Sequence, residues 1–179
     1  MVHAEDDKIV ELLRNGATLE QGFRLLMHKY QEKVYWHIRR IVESHEDTDD
    51  VLQNTFIKAY RGFDNFEGRS SLFTWLYRIA TNEALTHLKN KKSKSTLVLE
   101  EFHTGNSSAL DHDFDEDKAL QKLAIALEGL PEKQRIVFNM RYYDEMSYQD
   151  MSQILDTSVG ALKASYHHAV KKIEAVLLA

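Results

Sequence analysis

Histidines beside acidic residues or other histidines are the pattern in this sequence that most suggests a metal centre. His112–Asp113 is similar to the ligand pair of some helical hydrolases, but such centres need further His and Asp residues on neighbouring helices. His45–Glu46 lacks the second histidine four residues later that a zinc-protease helix requires. His167–His168 would point about 100° apart on a helix, a poor chelate. With no cysteine and no glycine-rich phosphate loop, the sequence predicts neither a catalytic nor a metal site.

A second set of side chains has the chemistry of nucleic-acid contact. Apolar residues recur every three or four positions from Val159 to Val176, which predicts an amphipathic helix. The opposite face carries donors suited to phosphates and base edges: Lys163, Ser165, His167, His168, Lys171 and Lys172. A capping box of Ser147 and Asp150 predicts a shorter helix before it, with a tight break over 156–158. This arrangement is typical of a helix-turn-helix, although helical hairpins without DNA-binding activity share it.

Helices that could hold such a unit are predicted along most of the preceding chain. The first covers about 5–14, and a capping box of Thr18 and Gln21 opens a long amphipathic helix that reaches Ile41. A third helix begins near Asp47 or Thr48. The stretch 63–71, FDNFEGRSS, is predicted as a loop whose last residue caps a helix over 72–89.

Charge and periodicity both change near residue 94. Residues 61–94 contain seven basic and three acidic residues, whereas 95–118 contain seven acidic and one basic. The loss of periodicity predicts a linker over 95–116 between domains at 1–94 and 117–179. Periodicity returns with Leu120, and Pro131 is predicted in the first turn of the next helix. The expected fold class is all-α, with two small helical domains joined by an acidic flexible linker, the C-terminal one containing the helix-turn-helix.

Composition limits the function classes. The net charge of −5 over 179 residues disfavours a protein that binds DNA unaided through excess positive charge. The amino terminus carries acids where a signal peptide needs basic residues, and no apolar run approaches membrane length. The expected location is the cytoplasm.

Two long segments resemble one known family. Residues 47–84, DTDDVLQNTFIKAYRGFDNFEGRSSLFTWLYRIATNEA, and residues 130–173, LPEKQRIVFNMRYYDEMSYQDMSQILDTSVGALKASYHHAVKKI, resemble the two domains of the extracytoplasmic-function sigma factors of the sigma-70 family. The resemblance implies a non-enzymatic subunit, without cofactor or small-molecule substrate, that directs core RNA polymerase to promoters. Its first domain would dock on the polymerase clamp and open the minus-ten element, and its second would read the minus-thirty-five element.

The resemblance assigns site residues in the first domain. Those implied for core-polymerase binding are Asp49, Asp50, Gln53, Asn54, Phe56 and Lys58; family members often carry an acid where this chain has Asn54. Those implied for minus-ten DNA are Gly68, Arg69, Ser70, Ser71, Trp75, Arg78, Asn82 and Lys89, with His87 a further candidate and Lys91, Lys92 and Lys94 available to phosphates. Trp75 is equally compatible with a place in the core. Many relatives have an acid where this chain has Arg69, which leaves the preferred base open.

The resemblance also assigns minus-thirty-five contacts and partners. The implied DNA-binding residues are Ser158, Lys163, Ala164, Ser165, His167, His168 and Lys171. Because relatives often place arginine at several of these sites, and lysine and histidine are weaker bidentate partners for guanine, we expect a less guanine-dependent upstream element. The implied partners are the clamp and flap of core polymerase, promoter DNA and an anti-sigma factor, often membrane-bound in this family. The alternative function is a helix-turn-helix regulator that acts without polymerase.

Overall fold

Helices form all the regular structure in residues 2–98 and 115–178, the ranges that the computed structural model describes. The predicted all-α class is therefore confirmed. None of these helices is long and apolar enough to cross a membrane. In chain order the elements are α1 (Val2–Arg14), α2 (Leu19–Val42), α3 (His45–Gly62), a 3-10 turn (Phe63–Asn65), α4 (Leu72–Val98), α5 (Asp115–Glu128), α6 (Glu132–Tyr142), α7 (Tyr148–Leu155) and α8 (Val159–Leu177).

The first four helices pack around α2, which contacts α1, α3 and α4. Its buried stripe follows the predicted spacing of three and four residues, with Leu26, Tyr30, Val34 and Ile38 almost fully enclosed. The Tyr30 hydroxyl donates to the buried Asp6 carboxylate of α1 at 2.8 Å, and burial is the main cause that raises the pKa of Tyr30. This buried hydrogen bond ties the amino-terminal helix to the domain.

The last four helices form a second cluster in which α8 contacts α5, α6 and α7. Phe138 of α6 stacks on Tyr166 of α8 with ring centroids 5.8 Å apart, and Ala169 and Ile173 continue the buried side of α8. Leu120, predicted on the apolar side of its helix, is 64% exposed on the outer face of α5.

The two helical clusters also pack directly on each other. Helix α4 contacts α7, and α2 contacts α6. Met140, Met146 and Met151 of the second cluster belong to the same buried core as Val34 and Tyr77 of the first. We call this shared surface the domain interface.

Most local predictions hold at helix starts. Ser71 Oγ accepts the Thr74 amide at 3.0 Å, and Ser147 Oγ accepts the Asp150 amide at 3.1 Å, so both predicted caps form. The predicted Thr18 capping box was wrong, because the Thr18 hydroxyl instead donates to the Leu12 carbonyl at 2.9 Å. Helix α3 begins at His45, ahead of the predicted start, because Ser44 is its N-cap.

The largest difference concerns the end of α4. This helix continues to Val98, nine residues beyond the predicted end, and α5 already begins at Asp115. Residues 90–98 contain neither glycine nor proline, so nothing in the local sequence forces the helix to stop. The predicted linker therefore contributes its first four residues to α4 and its last two to α5. Its centre, including His112–Asp113, lies outside the described residues.

Candidate protein and nucleic-acid interfaces

A groove between α2 and α3 gathers several of the predicted polymerase-binding residues. Phe56 lies in its floor, buried and edge-on to Phe23 of α2 at 6.1 Å. Asp49, Asp50 and Gln53 line its rim with exposed side chains. The groove encloses about 700 Å³, and its apolar floor with an acidic rim suits a helical partner that carries basic residues.

The structure separates two predicted residues from this groove. Lys58 lies on the opposite side of α3 and binds Glu83 of α4 at 2.5 Å. Asn54 is exposed near that same side and does not line the groove. The helical period separates these residues from the groove. Residues 54 and 58 are four apart and lie on one face of α3, whereas Asp49 and Gln53 lie on another.

Sequence reasoning missed two exposed apolar residues of the groove. Ile57 is 40% exposed and Tyr60 is 44% exposed. Tyr60 lies at the edge of the buried stripe of α3, whereas Ile57 lies outside it. Tyr60 packs edge-on against Phe23 at 5.1 Å. The signal that could have found them is a large apolar side chain at the edge of the buried stripe of α3 or outside it.

Asp47 at the start of α3 contacts two basic side chains of α4. Its carboxylate is 2.6 Å from Lys91 Nζ and 3.1 Å from His87 Nε2. The hydrogen bond from Lys91 is the main cause that lowers the pKa of Asp47. His87 and Lys91, which sequence reasoning considered for DNA contact, are therefore engaged in joining α3 to α4.

The loop before α4 is exposed from Glu67 to Arg69. Gly68 adopts φ +73°, a left-handed conformation that side chains disfavour. Arg69 extends into solvent and pairs with Glu67, so its charge is partly balanced within the loop. Ser70 is half-buried, and Ser71 is committed to capping α4.

Trp75 combines a core role with a partly open face. Its ring packs against Phe66 at 5.2 Å and edge-on against Phe63 at 5.9 Å. The side chain nevertheless remains half-buried and lines a cleft beside Arg78. The core role weighed from the sequence is therefore observed, and contact with a base through the open face stays a prediction.

The remaining minus-ten candidates follow one stripe of α4. Trp75, Arg78, Asn82 and Lys89 lie three, four and seven residues apart, which aligns them along the helix. Arg78, Asn82 and Lys89 are exposed. We call these four residues the α4 stripe; it offers an aromatic face, an amide and two cations along the helix, a set suited to a single nucleic-acid strand.

The cleft beside the stripe is closed on its far side by α7. Arg69, Ser70, Thr74, Trp75 and Arg78 line one wall, and Ser152, Gln153 and Asp156 line the other. The cleft encloses about 400 Å³. Four of the predicted minus-ten residues are thus brought together at a site that the second domain partly covers: Arg69, Ser70, Trp75 and Arg78.

Helices α7 and α8 form the predicted helix-turn-helix. Asp156 ends α7 in a left-handed conformation with φ 49°, and Ser158 caps α8 by accepting the Ala161 amide at 3.3 Å. The turn therefore contains three residues. Ser158 is one of the predicted DNA contacts, and its hydroxyl is committed to the cap.

The outer face of α8 presents most of the predicted minus-thirty-five residues. Lys163, Ala164, His167, His168 and Lys171 are exposed on it, and we call these five residues the recognition face. Ser165 is half-buried on the flank of the helix. Gly160 lies on the same outer side, and nothing lies within 4 Å of the position that a Cβ would take there. Small residues at 160 and 164 therefore leave room for a base edge to approach the helix.

Tyr148 at the start of α7, which sequence reasoning did not select, contacts two cationic side chains through its ring. Lys163 Nζ is 5.8 Å from the centroid of the Tyr148 ring, and the Arg141 guanidinium is 5.3 Å from the same centroid. Arg141 also donates to the Met146 carbonyl at 2.8 Å. Cation–π contact of this kind restrains flexible side chains, so Tyr148 helps to orient Lys163 beside the recognition face.

Clusters of histidine and acidic residues with metal-ligand geometry are absent from the described parts of the chain. His167 and His168 have ring centroids 6.0 Å apart and tilted planes.

Comparison with known proteins gives two family matches. Residues 26–94 match the family described as Sigma-70 region 2, and residues 120–173 match Sigma-70, region 4. The first match contains α3 and the α4 stripe. The second contains the helix-turn-helix.

Curated relatives match over nearly the whole chain. The RNA polymerase sigma-H factor of Pseudomonas aeruginosa is 32% identical, with 99% of this chain and 96% of that protein covered. The ECF RNA polymerase sigma-E factor of Escherichia coli (strain K12) is 34% identical, with 94% of this chain and 92% of that protein covered.

Solved structures share the fold. CnrH in complex with the cytosolic domain of CnrY has a TM-score of 0.70 at 20% identity, covering 97% of both chains. The sigma factor RpoE in complex with the anti-sigma factor NepR from Bartonella quintana has a TM-score of 0.68 at 22% identity, covering 87% of this chain and 96% of that one.

Proposed function

The chain belongs to the extracytoplasmic-function group of the sigma-70 family, and from that premise we propose which of its surfaces performs each step of promoter recognition. Sigma factors direct core RNA polymerase to promoters and start transcription there. The observation that carries the assignment is that three separate surfaces occur on one chain: the α2–α3 groove, the α4 stripe and the recognition face of α8.

The α2–α3 groove is the proposed contact with the polymerase clamp. Its apolar floor at Phe56 and Phe23 would bury apolar side chains of the partner. Asp49, Asp50 and Gln53 on the rim would pair with basic and polar groups. Charge at a rim sets orientation and association rate more than affinity, so the floor supplies most of the binding free energy.

The α4 stripe and the loop at 68–71 are the proposed minus-ten site. Extruding a base from a duplex costs a few kcal/mol, which stacking and hydrogen bonds must offset. The open face of Trp75 can stack on a base, and Arg78 and Lys89 can neutralise phosphates. Asn82 can donate to and accept from a base edge.

The recognition face of α8 is the proposed minus-thirty-five reader. A helix of this kind inserts into the major groove with its amino-terminal half against the bases. Lys163, Lys171 and the two histidines are cations or donors suited to base acceptors and phosphates. The domain limits at 94 and 117, with the acidic linker between them, are part of this proposal.

Two further parts of the assignment concern the cell. Polymerase and chromosomal DNA are in the cytoplasm, which is therefore the proposed location. The protein contributes binding, and polymerase performs the chemistry.

The structurally similar CnrH and RpoE are each bound to a further protein, CnrY and the anti-sigma factor NepR. We propose an anti-sigma partner for this chain as well.

The test of the function is reconstituted transcription. Purified chain and sigma-free core polymerase are added to a pool of promoter fragments from the source genome and compared with core alone. Discrete start sites that depend on the chain are the expected result, and their upstream sequences give both promoter elements.

The same preparation separates the sigma factor from a free-standing regulator. If the chain neither binds core in a pull-down nor changes initiation, but binds duplex DNA tightly by itself, the regulator becomes the better description.

A further inference from the structure

A buried polar cluster joins the two domains through Asp144, in the turn after α6. One carboxylate oxygen is 2.8 Å from His37 Nδ1, and the other accepts from Arg40 Nη1 at 2.8 Å. The side chain of His37 is 1% exposed and that of Asp144 is 7% exposed. The other ring nitrogen of His37 is 2.9 Å from the Thr81 hydroxyl. Both partners of Asp144 belong to α2, so this carboxylate makes these two contacts only while the second domain lies against the first.

Further polar contacts cross the domain interface on either side of this cluster. Thr74 of α4 donates to the Asp150 carboxylate of α7 at 2.9 Å. The Asn139 amide donates to the Arg40 carbonyl at 3.3 Å. At the outer edge Arg135 pairs with Glu43. These contacts specify a single orientation of the domains, which apolar packing alone does not do.

Apolar side chains fill the rest of the domain interface. Met140, Met146, Met151 and Ile154 of the second domain are at most 3% exposed. They share one core with the α2 and α4 residues of the first domain. Separation of the domains would expose this methionine-rich surface to water, a cost that closure avoids.

The packed arrangement does not fit promoter recognition as proposed above. The minus-ten and minus-thirty-five elements lie about two to three helical turns apart, roughly 70–100 Å at about 34–36 Å per turn. In the structure α7 touches α4 directly through Asp150 and Thr74, and the 19 residues of α8 span only about 28 Å. The recognition face and the α4 stripe therefore cannot reach both elements until the domains separate.

We propose that the domain interface is an autoinhibitory clasp, with Asp144 as its central contact, that must open before this sigma factor engages a promoter. The proposal rests on the function assigned above. Closure places α7 across the cleft that Trp75 and Arg78 line. The α2–α3 groove lies nearer the amino end of α2, at Phe23 and Met27, away from His37 and Arg40. Core polymerase can therefore dock on the closed chain first, and opening follows on the polymerase.

The clasp is tested by locking it covalently. The chain has no cysteine, so E43C/R135C places two thiols on residues that form an ion pair across the domain interface. A short cleavable bismaleimide then joins the two domains of the full-length chain. We expect rapid intramolecular crosslinking of the free protein, at least a tenfold loss of initiation by the crosslinked chain with core polymerase, and recovery after the linker is reduced. The two single-cysteine variants, treated identically, are expected to keep full initiation.

The outcomes separate the clasp from the function itself. If the thiols do not crosslink in the free chain, or if the crosslinked chain initiates as well as the uncrosslinked one, the clasp is wrong while the sigma function stands. If the uncrosslinked E43C/R135C chain and the unmodified chain both fail to initiate, the proposed function fails instead.

A substitution tests the central contact independently of any reagent. D144N removes the charge that His37 and Arg40 bind, and we expect about a tenfold lower core concentration for half-maximal initiation because the closed state is weakened. E145Q is the matched control, since Glu145 is the next residue, exposed and in no ion pair among the described residues. Equal core requirements for D144N and the unmodified chain would overturn the role of Asp144.

Discussion

Single positions of the recognition face set the base preference expected of this chain. Lys163 is exposed where α8 would meet the upstream element, and Tyr148 restrains its ammonium. An ammonium contacts guanine at one point, whereas a guanidinium can contact two acceptors at once. We therefore expect K163R to improve binding of polymerase to upstream elements bearing guanine by about tenfold, since a good bidentate pair discriminates by about 1–3 kcal/mol.

The measurement is competition between promoter fragments that differ at single upstream positions. K133R is the control, because Lys133 is exposed on α6, outside the recognition face. A strong guanine preference already present with Lys163 would contradict the expected base preference.

Asp47 links stability to pH at another single position. Its pKa is lowered mainly by the hydrogen bond from Lys91. A carboxylate with a folded-state pKa below its unfolded value stabilises the fold above the unfolded pKa, near 4, and this contribution disappears as pH falls through the folded pKa. We expect D47N to lower the free energy of unfolding at pH 7 by about 0.5 kcal/mol, as for a partly exposed ion pair.

Urea unfolding at pH 7 and at a pH below the lowered folded-state pKa of Asp47 measures this difference, which is expected to vanish at the lower pH. The control is D49N in the same helix, whose carboxylate is exposed and 3.7 Å from His45. A D47N effect that is equally large at both pH values would show that it does not come from the ion pair.

At the scale of helices, α3 and α4 are expected to serve different steps. Asp50 lines the α2–α3 groove, and Arg78 lies on the α4 stripe. We expect D50N to slow association with core about tenfold at low salt, because a rim charge acts mainly on the association rate, while leaving the open complex stable once core is saturating. R78A is expected to have the reverse effect, with normal core binding and about tenfold fewer open complexes.

Core binding is measured as the rate of association with labelled core polymerase after rapid mixing, and opening by permanganate reactivity of unpaired thymines at the promoter. If both variants lose core binding equally, the groove and the stripe do not have the separate roles assigned to them.

The close approach of α1 and α2 is a second property at this scale. A Cβ at Gly22 would lie 2.8 Å from the Leu13 amide nitrogen and 3.0 Å from Leu12 Cβ. Because backbone cannot yield as a flexible side chain does, we expect G22A to destabilise the protein by about 1–3 kcal/mol.

Thermal unfolding checks the effect of G22A. The control is G62A near the end of α3, where an added Cβ meets nothing within 4 Å. A G22A protein as stable as G62A would mean that α1 is not held against α2 in solution.

For the whole molecule, the balance of charge predicts how it binds DNA alone. The net charge is −5, and the exposed cations of the recognition face are few. With about three phosphates neutralised, the logarithm of affinity should fall with the logarithm of salt with a slope near −3. We expect weak binding of a promoter duplex by the free chain, and a far tighter and more salt-dependent complex after core polymerase is added.

Fluorescence anisotropy across a salt series measures both slopes. Tight, sequence-specific binding by the free chain would favour the helix-turn-helix regulator instead.

The sequence by itself determined the helical class, most helix starts and the helix-turn-helix. These depend on contacts within a few residues, such as the Ser71 and Ser147 caps and the apolar period of α2 and α8. The predicted Thr18 capping box was wrong because the Leu12 carbonyl of α1, six residues earlier, accepts the hydrogen bond of the Thr18 hydroxyl. The predicted end of α4 was wrong for a different reason. When the amphipathic period stops, a helix no longer has an apolar face to pack, but its backbone can remain helical.

Only the tertiary structure decided which candidate residues are free to act. Lys58, His87 and Lys91 have the chemistry of binding residues, yet each is engaged by a carboxylate 25 to 44 residues away in sequence. The packing of Asp144 on His37 and Arg40 joins residues more than 100 positions apart. No local pattern encodes such pairs, because they depend on how whole helices pack.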